Sequence, residues 1–430
     1  MSTAPLTPLG DAIAVARRLG AALALGHEHV PIAEALGRTT SADVRAVRAL
    51  PGFASSGMDG FAVRAADLAG ATDDAPVALR ITAESRAGAP AAAAVGPGDA
   101  IRIATGAVVP DGADAVVPYE EVTEAGGRAT FTAPAAPGAF VRPAGTDVAA
   151  GAVLVPAGTR LAPHHLAPLS GAGHGQVPVR RRPRVSVLLT GDEVVRGAGP
   201  DAALPPGHVH DVNGVVLPAL VRTWGGELAE VVPLPDDRDV TRDAIAWASG
   251  DLLVVCGGMS MGPHDHVRPA LDELGARAEL FRVALQPGKP TWLGTLPGED
   301  GARPVLGLPG NPASVFVTAT LLLRAALDAA LGRPPAAPLR GRLTAPTTGL
   351  PGRTAARRAC VSVYGEGTLA VTILDGQASH LLGSLGAANA LAIVPPDEQL
   401  QAGAVVDLVP LEPADAWAHA GGSVHDHPRL

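Results

Sequence analysis

The 430-residue chain has few cysteines, which could crosslink a fold, and few aromatic residues, which could fill its core. It contains two cysteines, Cys256 and Cys360, and only 3% of its residues are aromatic. Two cysteines cannot form a disulfide framework. Cys256 ends an apolar run that begins at Leu252, which predicts a small core residue. Because 47% of the residues are hydrophobic, alanine, valine and leucine must fill the cores.

Long apolar runs are also missing from the sequence. The longest, residues 313–323, ends at Arg324 and is well short of the about 18 residues that mark a membrane span. Asp11, Arg17 and Arg18 interrupt the region where a signal peptide would need an apolar core. The sequence therefore predicts a soluble, cytoplasmic protein. Its net charge is −9 and it has no block of like charges, which argues against binding to nucleic acid.

Several familiar catalytic motifs are absent. No GxGxxG opens a sheet and no Walker loop occurs, which excludes the usual dinucleotide-binding and P-loop classes. The chain is instead rich in glycine and proline, with 52 and 41 residues. Since the apolar content is too high for disorder, these residues must punctuate compact structure.

The spacing of apolar residues changes along the chain and divides it into regions. Residues 7–26 have helical spacing, whereas residues 51–145 consist of short alternating runs that predict a small β-rich domain. From residue 183 to 333, unbroken apolar strands alternate with helices, which is typical of a doubly wound parallel sheet. Residues 339–411 return to short strands and predict a small barrel or sandwich. The expected fold is therefore multidomain, part α/β and part β.

The predicted domains follow from these changes. Their bounds are 1–50 with 146–182 as a helical and linker domain, 51–145, 183–333, 339–411, and a flexible tail at 412–430.

Three glycine-rich loops follow apolar runs between residues 251 and 312. They contain Gly257, Gly258, Ser260 and Gly262; Gln286, Gly288, Lys289 and Pro290; and Pro309, Gly310 and Asn311. Glycine lets backbone N–H groups crowd toward a bound anion, and helix N-termini add positive partial charge. At the carboxyl ends of neighbouring strands, such loops would meet at one edge of the sheet, where open α/β folds bind ligands. The pattern predicts an enzyme that handles anions.

Carboxylates stand in loops near these glycines. Glu193 follows the first strand of the predicted sheet, Asp211 precedes a helix and Asp265 ends the first glycine loop. Such carboxylates suit Mg²⁺, which commonly bridges them to phosphates. Helix capping explains Asp211 or Asp265 taken singly, but convergence beside three glycine loops favours function. Lys289 suits an oxyanion, while Ser314 either donates to phosphate or satisfies nearby backbone.

Seven motifs resemble those of the molybdenum insertase family (molybdopterin molybdenumtransferases), which includes the C-terminal domain of gephyrin. They occur in the same order as in that family. They lie at residues 56–64, 103–107 with 110–114, 141–147, 190–193, 257–265, 287–290 and 308–312. The resemblance implies an elongated four-domain subunit that forms a homodimer. Its active cleft would lie between the doubly wound domain of one subunit and the Asp59 domain of the other.

The resemblance also implies a reaction. Adenylylated molybdopterin and molybdate are the substrates, Mg²⁺ is the cofactor, and AMP leaves as molybdenum joins the dithiolene. The preceding adenylylation enzyme and acceptor molybdoenzymes are implied partners.

The implied functional residues fall into three sets. The catalytic polar set is Asp59, Thr105, Asp147, Glu193, Asp211 and Asp265, of which Glu193, Asp211 and Asp265 would hold the metal. Substrate binding would add Ser314, Arg358 and Ser379 to the loop residues named above. Many relatives carry lysine where this chain has Gln286, so tungstate stays open as an alternative oxyanion.

Two other functions compete with the insertase. The enzyme of the preceding adenylylation step shares an α/β module that resembles residues 183–332, and gephyrin-type domains also act as scaffolds that bind peptide partners. Release of AMP with and without molybdate separates the three.

Overall fold

The computed structural model describes residues 5–197, 204–259, 265–298, 301–364 and 368–411. The chain divides into two compact units, residues 29–179 and residues 1–28 with 180–430. Helix α1 (Leu9–Ala21) belongs to the second of these. The sequence-based division instead grouped residues 1–50 with 146–182.

Residues 29–179 form a β-rich unit. The elements from its boundary onward are β1 (His27–Pro31), β2 (Val44–Arg45), β3 (Ser55–Ser56), β4 (Gly60–Val63), β5 (Val77–Ser85), β6 (Asp99–Ile103), β7 (Ala115–Pro118), β8 (Val122–Ala125), β9 (Arg128–Phe131), β10 (Val141–Arg142), β11 (Val153–Val155), α2 (Pro163–Gly171) and β12 (Gln176–Arg180). Short 3₁₀ helices lie at Ile32–Glu34, Ala65–Leu68 and Tyr119–Glu121.

Six of these strands form one sheet in the order β7-β4-β6-β5-β9-β8, in which only β5 and β6 are parallel. Its core includes Phe61, Leu68 and Phe131, with Phe61 and Phe131 meeting edge to face. A separate core, with Leu161 and Leu169, joins α2 to the segments at both ends of the unit. The expectation of small β-rich domains is confirmed.

The second unit contains an α/β sheet and its helices. The elements are β13 (Arg184–Thr190), β14 (Val194–Val195), β15 (Val209–His210), α3 (Asn213–Thr223), β16 (Glu227–Leu234), α4 (Arg238–Trp247), β17 (Leu252–Cys256), α5 (Val267–Glu273), β18 (Arg277–Phe281), β19 (Leu285–Gln286), β20 (Trp292–Leu296), β21 (Arg303–Leu308), α6 (Pro312–Thr318) and α7 (Arg324–Ala330). A π-helical segment, Ala319–Leu323, joins α6 to α7.

The sheet has the order β16-β13-β17-β21-β20-β18. Its first four strands are parallel, and β20 runs antiparallel to both neighbours. Val187 packs with α1, α3 and α6 on one face, while Leu188 packs with α4 and α5 on the other. The domain is therefore doubly wound as expected, although the sheet is mixed rather than wholly parallel.

The long helix formed by α6, the π segment and α7 lies inside this structure. It runs from Pro312 to Ala330 and is long and apolar enough to cross a membrane, but 78% of its apolar window is buried. Since its side chains fill the core beside the sheet, we regard it as a core helix.

Residues 339–411 form a closed barrel. The elements are β22 (Leu339–Leu343), β23 (Thr347–Thr348), β24 (Thr354–Tyr364), β25 (Thr368–Ile373), α8 (Gly383–Ala387), β26 (Ala390–Val394), β27 (Gln399–Leu400) and β28 (Val405–Pro410). The pairings β24-β25-β22-β28-β26 return to β24 and close the ring. The short β19 also pairs with β24, which links the barrel to the α/β sheet.

Candidate functional site

One large cavity, of about 1110 Å³, lies in the unit formed by residues 1–28 and 180–430. Loops that follow β13, β17, β19 and β21 line it, together with residues from the barrel. The predicted site residues that it brings together are Glu193, Asp211, Gly257, Gly258, Asp265, Gln286, Gly288, Lys289, Pro290, Pro309, Gly310, Asn311, Ser314 and Ser379. Ser260 and Gly262 lie outside the described residues.

The second glycine loop reaches the cavity by a different route from the one expected. The apolar run before it is not one continuous strand, because β18 ends at Phe281 and the separate strand β19 starts at Leu285. β18 runs in the same direction as β21, since β20 is antiparallel to both. The chain thus leaves β18 at the same edge as the other loops, and β19 then carries Gln286 toward the barrel.

Gly257 shows why glycine is needed directly after β17. Its φ is 90°, and a Cβ there would overlap Thr190 Oγ1 at the end of the neighbouring β13. Its N–H donates to Leu308 O at 3.1 Å. The ends of β13, β17 and β21 therefore lie close together, at the point where Gly257 lines the cavity.

Two helices begin at the cavity. Asn213 is the first residue of α3, and its Nδ2 donates to Gly310 O at 2.8 Å, which ties α3 to the third glycine loop. Ser314 lies in the first turn of α6 and is 4% exposed. Because helix N-termini carry positive partial charge and unpaired N–H groups, this arrangement favours a bound anion.

Asp211 is held on both sides by the protein. The pairing of β14 with β15 brings Arg196 beside it, and Arg196 Nε lies 3.0 Å from Asp211 Oδ2. Gly214 N, in the first turn of α3, donates to Asp211 Oδ1 at 2.7 Å. The capping interaction that the sequence allowed is thus present, and both carboxylate oxygens are engaged.

Two cations line the same cavity. Lys289 follows β19, and Arg353 comes directly before β24. Neither makes an ion pair with a carboxylate anywhere in the described part of the chain. Their positive charge is therefore not neutralised by the protein, which again favours an anionic ligand.

Arg358, predicted to contact substrate, lies elsewhere. It is 1% exposed, sits within β24 and does not line the cavity. The arginine at the cavity is Arg353, five residues earlier. Sequence reasoning missed it, although it follows Leu350-Pro351-Gly352, a repeat of the Leu-Pro-Gly pattern that marks the third glycine loop.

The other lining residues that the sequence analysis missed include Asn213, Asp236 and His380. No group of three or more His, Cys, Asp or Glu side chains among the residues the structure describes is arranged to hold a metal ion.

Asp59, Thr105 and Asp147 belong to the β-rich unit. Thr105 N donates to Asp59 Oδ1 at 2.6 Å, and this backbone hydrogen bond lowers the pKa of Asp59. A smaller cavity of about 410 Å³ in this unit is lined by Asp147, Thr146, Arg142, Phe53 and Gly106, the neighbour of Thr105, among others. The three predicted polar residues therefore gather in one region of their unit.

Comparison with known proteins identifies the family. Sequence models match the MoeA N-terminal region (domain I and II) over residues 7–173, a probable molybdopterin binding domain over residues 186–329, and the MoeA C-terminal region (domain IV) over residues 340–411. Molybdopterin molybdenumtransferase 2 of Mycobacterium tuberculosis is 36% identical over 380 residues, which cover 86% of this chain and 91% of that protein. The chain belongs to the molybdopterin molybdenumtransferase family.

Two further relatives support this assignment to the molybdopterin molybdenumtransferase family. The molybdopterin molybdenumtransferase of Nostoc is 38% identical over 68% of this chain and 66% of its own length. The crystal structure of the molybdopterin biosynthesis MoeA protein from Pyrococcus horikosii has a TM-score of 0.81 at 32% identity, covering 95% of this chain and 100% of that one. The chain is thus a transferase of molybdenum cofactor biosynthesis, as the motifs predicted.

Proposed function

We propose that the chain, as a homodimer, inserts molybdenum from molybdate into adenylylated molybdopterin and releases AMP, with Mg²⁺ as cofactor. The observation that carries this proposal is the composition of the large cavity. Three glycine-rich loops, the starts of α3 and α6, and the cations Lys289 and Arg353 surround one space that also contains carboxylates. A reaction of two anionic substrates that also uses a divalent cation needs groups that bind anions and carboxylates that bind the cation, all in one space.

The basic and polar residues that line the cavity would bind the anions. Molybdate, the phosphoanhydride and the pterin phosphate are all negatively charged, so loop N–H groups, Lys289 and Arg353 can neutralise them. Arg353 takes the place that the sequence analysis gave to Arg358. Gln286 adds no charge, so selection between molybdate and tungstate would depend on shape and hydrogen bonds at this position.

The carboxylates that line the cavity suit a magnesium ion that substrate would help to bind. Mg²⁺ is usually held by one or two protein carboxylates plus phosphate oxygens, and Glu193 and Asp265 can supply that number. Both carboxylate oxygens of Asp211 are engaged, one by Arg196 and the other by Gly214. We therefore assign Asp211 to holding its loop in position, and not to the predicted role of metal ligand. The bound ion would draw charge from the phosphoanhydride oxygens and so favour departure of AMP.

The cavity would also act by proximity. By holding molybdate and the pterin in one space, these residues replace a bimolecular encounter with an oriented reaction between neighbours. We further propose that Asp59, Thr105 and Asp147 act on substrate bound in the cavity of a second subunit.

The decisive experiment measures AMP release from adenylylated molybdopterin by the purified full chain, with and without molybdate. We expect molybdate to be required. Asp265→Ala and Asp59→Ala should keep the circular dichroism spectrum of the parent and lose about a hundredfold in rate. Asp73→Ala, an exposed aspartate in the β-rich unit that lines neither cavity, is the matched control.

Three other results would count against the proposal. Undiminished turnover in both variants removes the assignment of these carboxylates. Adenylylation of molybdopterin from ATP without molybdate would support the preceding enzyme of the pathway. Tight partner binding without any AMP release would support a scaffold.

A further inference from the structure

Phe140 has a backbone conformation that phenylalanine rarely adopts. Its φ is 49°, in the left-handed region, where the Cβ of an L-residue crowds the backbone. Glycine, asparagine and aspartate adopt this region at lower cost. A bulky residue stays there only when the surrounding structure fixes it.

The backbone around Phe140 is fixed in this way. Gly57 N donates to Phe140 O at 2.7 Å. Val116 N donates to the preceding carbonyl, Ala139 O, at 2.9 Å. Directly after Phe140, β10 pairs with β3. The fold therefore imposes the positive φ, and a residue better suited to this conformation would relieve the strain.

Core packing does not explain why the residue is phenylalanine. Phe140 is 47% exposed and belongs to none of the hydrophobic cores formed by the described residues. All six phenylalanines of the chain lie in the described ranges, and the only other exposed one is Phe53, at 46%. An exposed ring held at a cost in backbone energy is typical of a residue that contacts a ligand.

Both exposed rings belong to the surroundings of the cavity of about 410 Å³, which we call the small cavity. Phe53 lines it directly, as does Arg142, two residues after Phe140. A Cβ added at Gly57 would lie 3.2 Å from Phe140 O and 3.5 Å from Arg142 Nε. Phe140 and Arg142 therefore meet at the same glycine.

The small cavity also contains one cation and one carboxylate, Arg142 and Asp147. Neither forms a salt bridge with another residue in the described ranges. Small-molecule sites are typically cavities of about 300–1000 Å³ with apolar walls and a few polar groups that orient the ligand. The small cavity has this size and this composition.

The polar pair favours one kind of planar ring. A pterin carries, along one edge, N–H donors that a carboxylate can accept from and a carbonyl oxygen that a guanidinium can donate to. Adenine has no carbonyl oxygen to complete this pattern. Planar heterocycles also stack on aromatic side chains, which gives the exposed phenylalanine rings a function.

We propose that the small cavity binds the pterin ring of the substrate, and that Phe140 and Phe53 stack on this ring. The inference rests on the proposed function, because it takes a pterin to be the substrate. The anionic groups of the same molecule would be bound in the large cavity of a second subunit. Phe140 is thus a specificity-determining residue, whose ring adds affinity at the expense of stability.

The binding test uses the full chain and two probes, 6-hydroxymethylpterin and AMP, in isothermal titration calorimetry. We expect Phe140→Asn and Phe53→Leu each to weaken pterin binding about tenfold, as loss of a stacked aromatic ring does, and to leave AMP binding as in the parent. Phe140→Tyr keeps a ring and should bind the pterin like the parent. Leu36→Asn removes another exposed apolar side chain of the β-rich unit that lines neither cavity, so it is the matched control.

Thermal unfolding separates ligand binding from a structural role of the ring. Phe140→Asn should raise the midpoint by about 2–4 °C, because asparagine relieves the strain of the positive φ. A ring kept for packing would instead lower the midpoint when removed. A lower midpoint, or parent-like pterin binding by both Phe140→Asn and Phe53→Leu, would overturn the proposal.

Two other results would assign the ring to a different occupant and would also overturn the proposal. Sedimentation velocity that shows Phe140→Asn as a monomer, where the parent is a dimer, would place the ring in the contact between subunits. Loss of AMP binding with pterin binding unchanged would assign the rings to adenine.

Release of AMP keeps this inference distinct from the proposed function. Pterin binding that depends on Phe140, in a chain whose AMP release does not require molybdate, would refute the proposed function and leave the pterin site standing. Molybdate-dependent AMP release by a parent chain that does not bind 6-hydroxymethylpterin would refute the pterin site and leave the function standing.

Discussion

Cys256 illustrates how burial controls the chemistry of a single side chain at the end of β17. It ends β17, its Sγ donates to Pro309 O at 3.4 Å, and it is 2% exposed. Burial, and then the charge of Asp211, raise the pKa of the thiol to about 12. Since the thiolate is the reactive form, a raised pKa keeps Cys256 protonated and inert across the neutral range.

We expect native Cys256 to react with iodoacetamide at pH 8 at least about a hundredfold more slowly than in urea. Peptide mapping by mass spectrometry measures the rate at this cysteine separately from Cys360, which is only partly buried. Equal rates for Cys256 in the native and unfolded chain would show that the thiol is not shielded as described.

The two arginines near β24 show the limit of prediction at the residue scale. Arg353 directly precedes β24, and Arg358 lies within it. Nothing in the local sequence of either residue indicates which one faces the cavity. In the structure, Arg358 is buried within β24, whereas Arg353 lines the cavity. In contrast, Gly257, Gly258 and Gly288 were predictable as glycines, because each has a positive φ and an added Cβ would overlap a neighbouring side chain.

At the scale of elements, the contact between α1 and α7 decides where the start of the chain belongs. α1 has Leu9, Ala12, Ala16 and Leu19 on its buried face, a spacing that predicted the helix. That spacing did not reveal its partner, because any apolar groove can accept such a face. In the structure, a Cβ at Gly20 would overlap the backbone carbonyl of Ala326 in α7, so the two helices meet backbone to backbone there.

Gly20→Ala should therefore destabilise the chain by about 1–3 kcal/mol, since the overlapping atom is backbone and cannot rotate away. Gly10→Ala, in the same helix with nothing within 4 Å of the added Cβ, is the matched control. It should change stability by no more than about 1 kcal/mol, in the stabilising direction. Thermal unfolding followed by circular dichroism compares the two, and equal midpoints would contradict the close contact.

At the scale of the whole molecule, the cores separate along the boundary between the two units. The clusters around Phe61, Leu161 and Ile103 contain only residues from 29–179. The core of the α/β sheet, in turn, includes four residues of α1. One unit is therefore continuous in sequence, while the other needs both ends of the chain.

Residues 29–179, expressed alone, should unfold in one cooperative thermal transition, because all their core contacts are retained. Residues 180–411 expressed without α1 should be poorly folded, since the core loses Leu9, Ala12, Ala16 and Leu19. Near-ultraviolet circular dichroism of both fragments, against the full chain, measures this. Native-like folding of residues 180–411 alone would show that α1 is dispensable.

The proposed sharing of a site between subunits makes a second prediction at this scale. Asp59→Ala and Asp265→Ala, each inactive alone, should regain activity when unfolded and refolded together. Random pairing in a two-fold dimer makes half the dimers mixed, each with one intact site, so about a quarter of the parent rate is expected. Activity that stays at the level of the single variants would place both carboxylates in one subunit's site.

The sequence by itself determined the local structure and the family. Periodicity predicted the helices and strands because burial of one face imposes spacing, and the seven motifs, in their order, were specific enough to indicate the family. Only the tertiary structure decided which side chains share a space. It paired Asp211 with Arg196, buried Arg358 within β24 and placed Arg353 in the cavity, because these contacts join residues far apart along the chain.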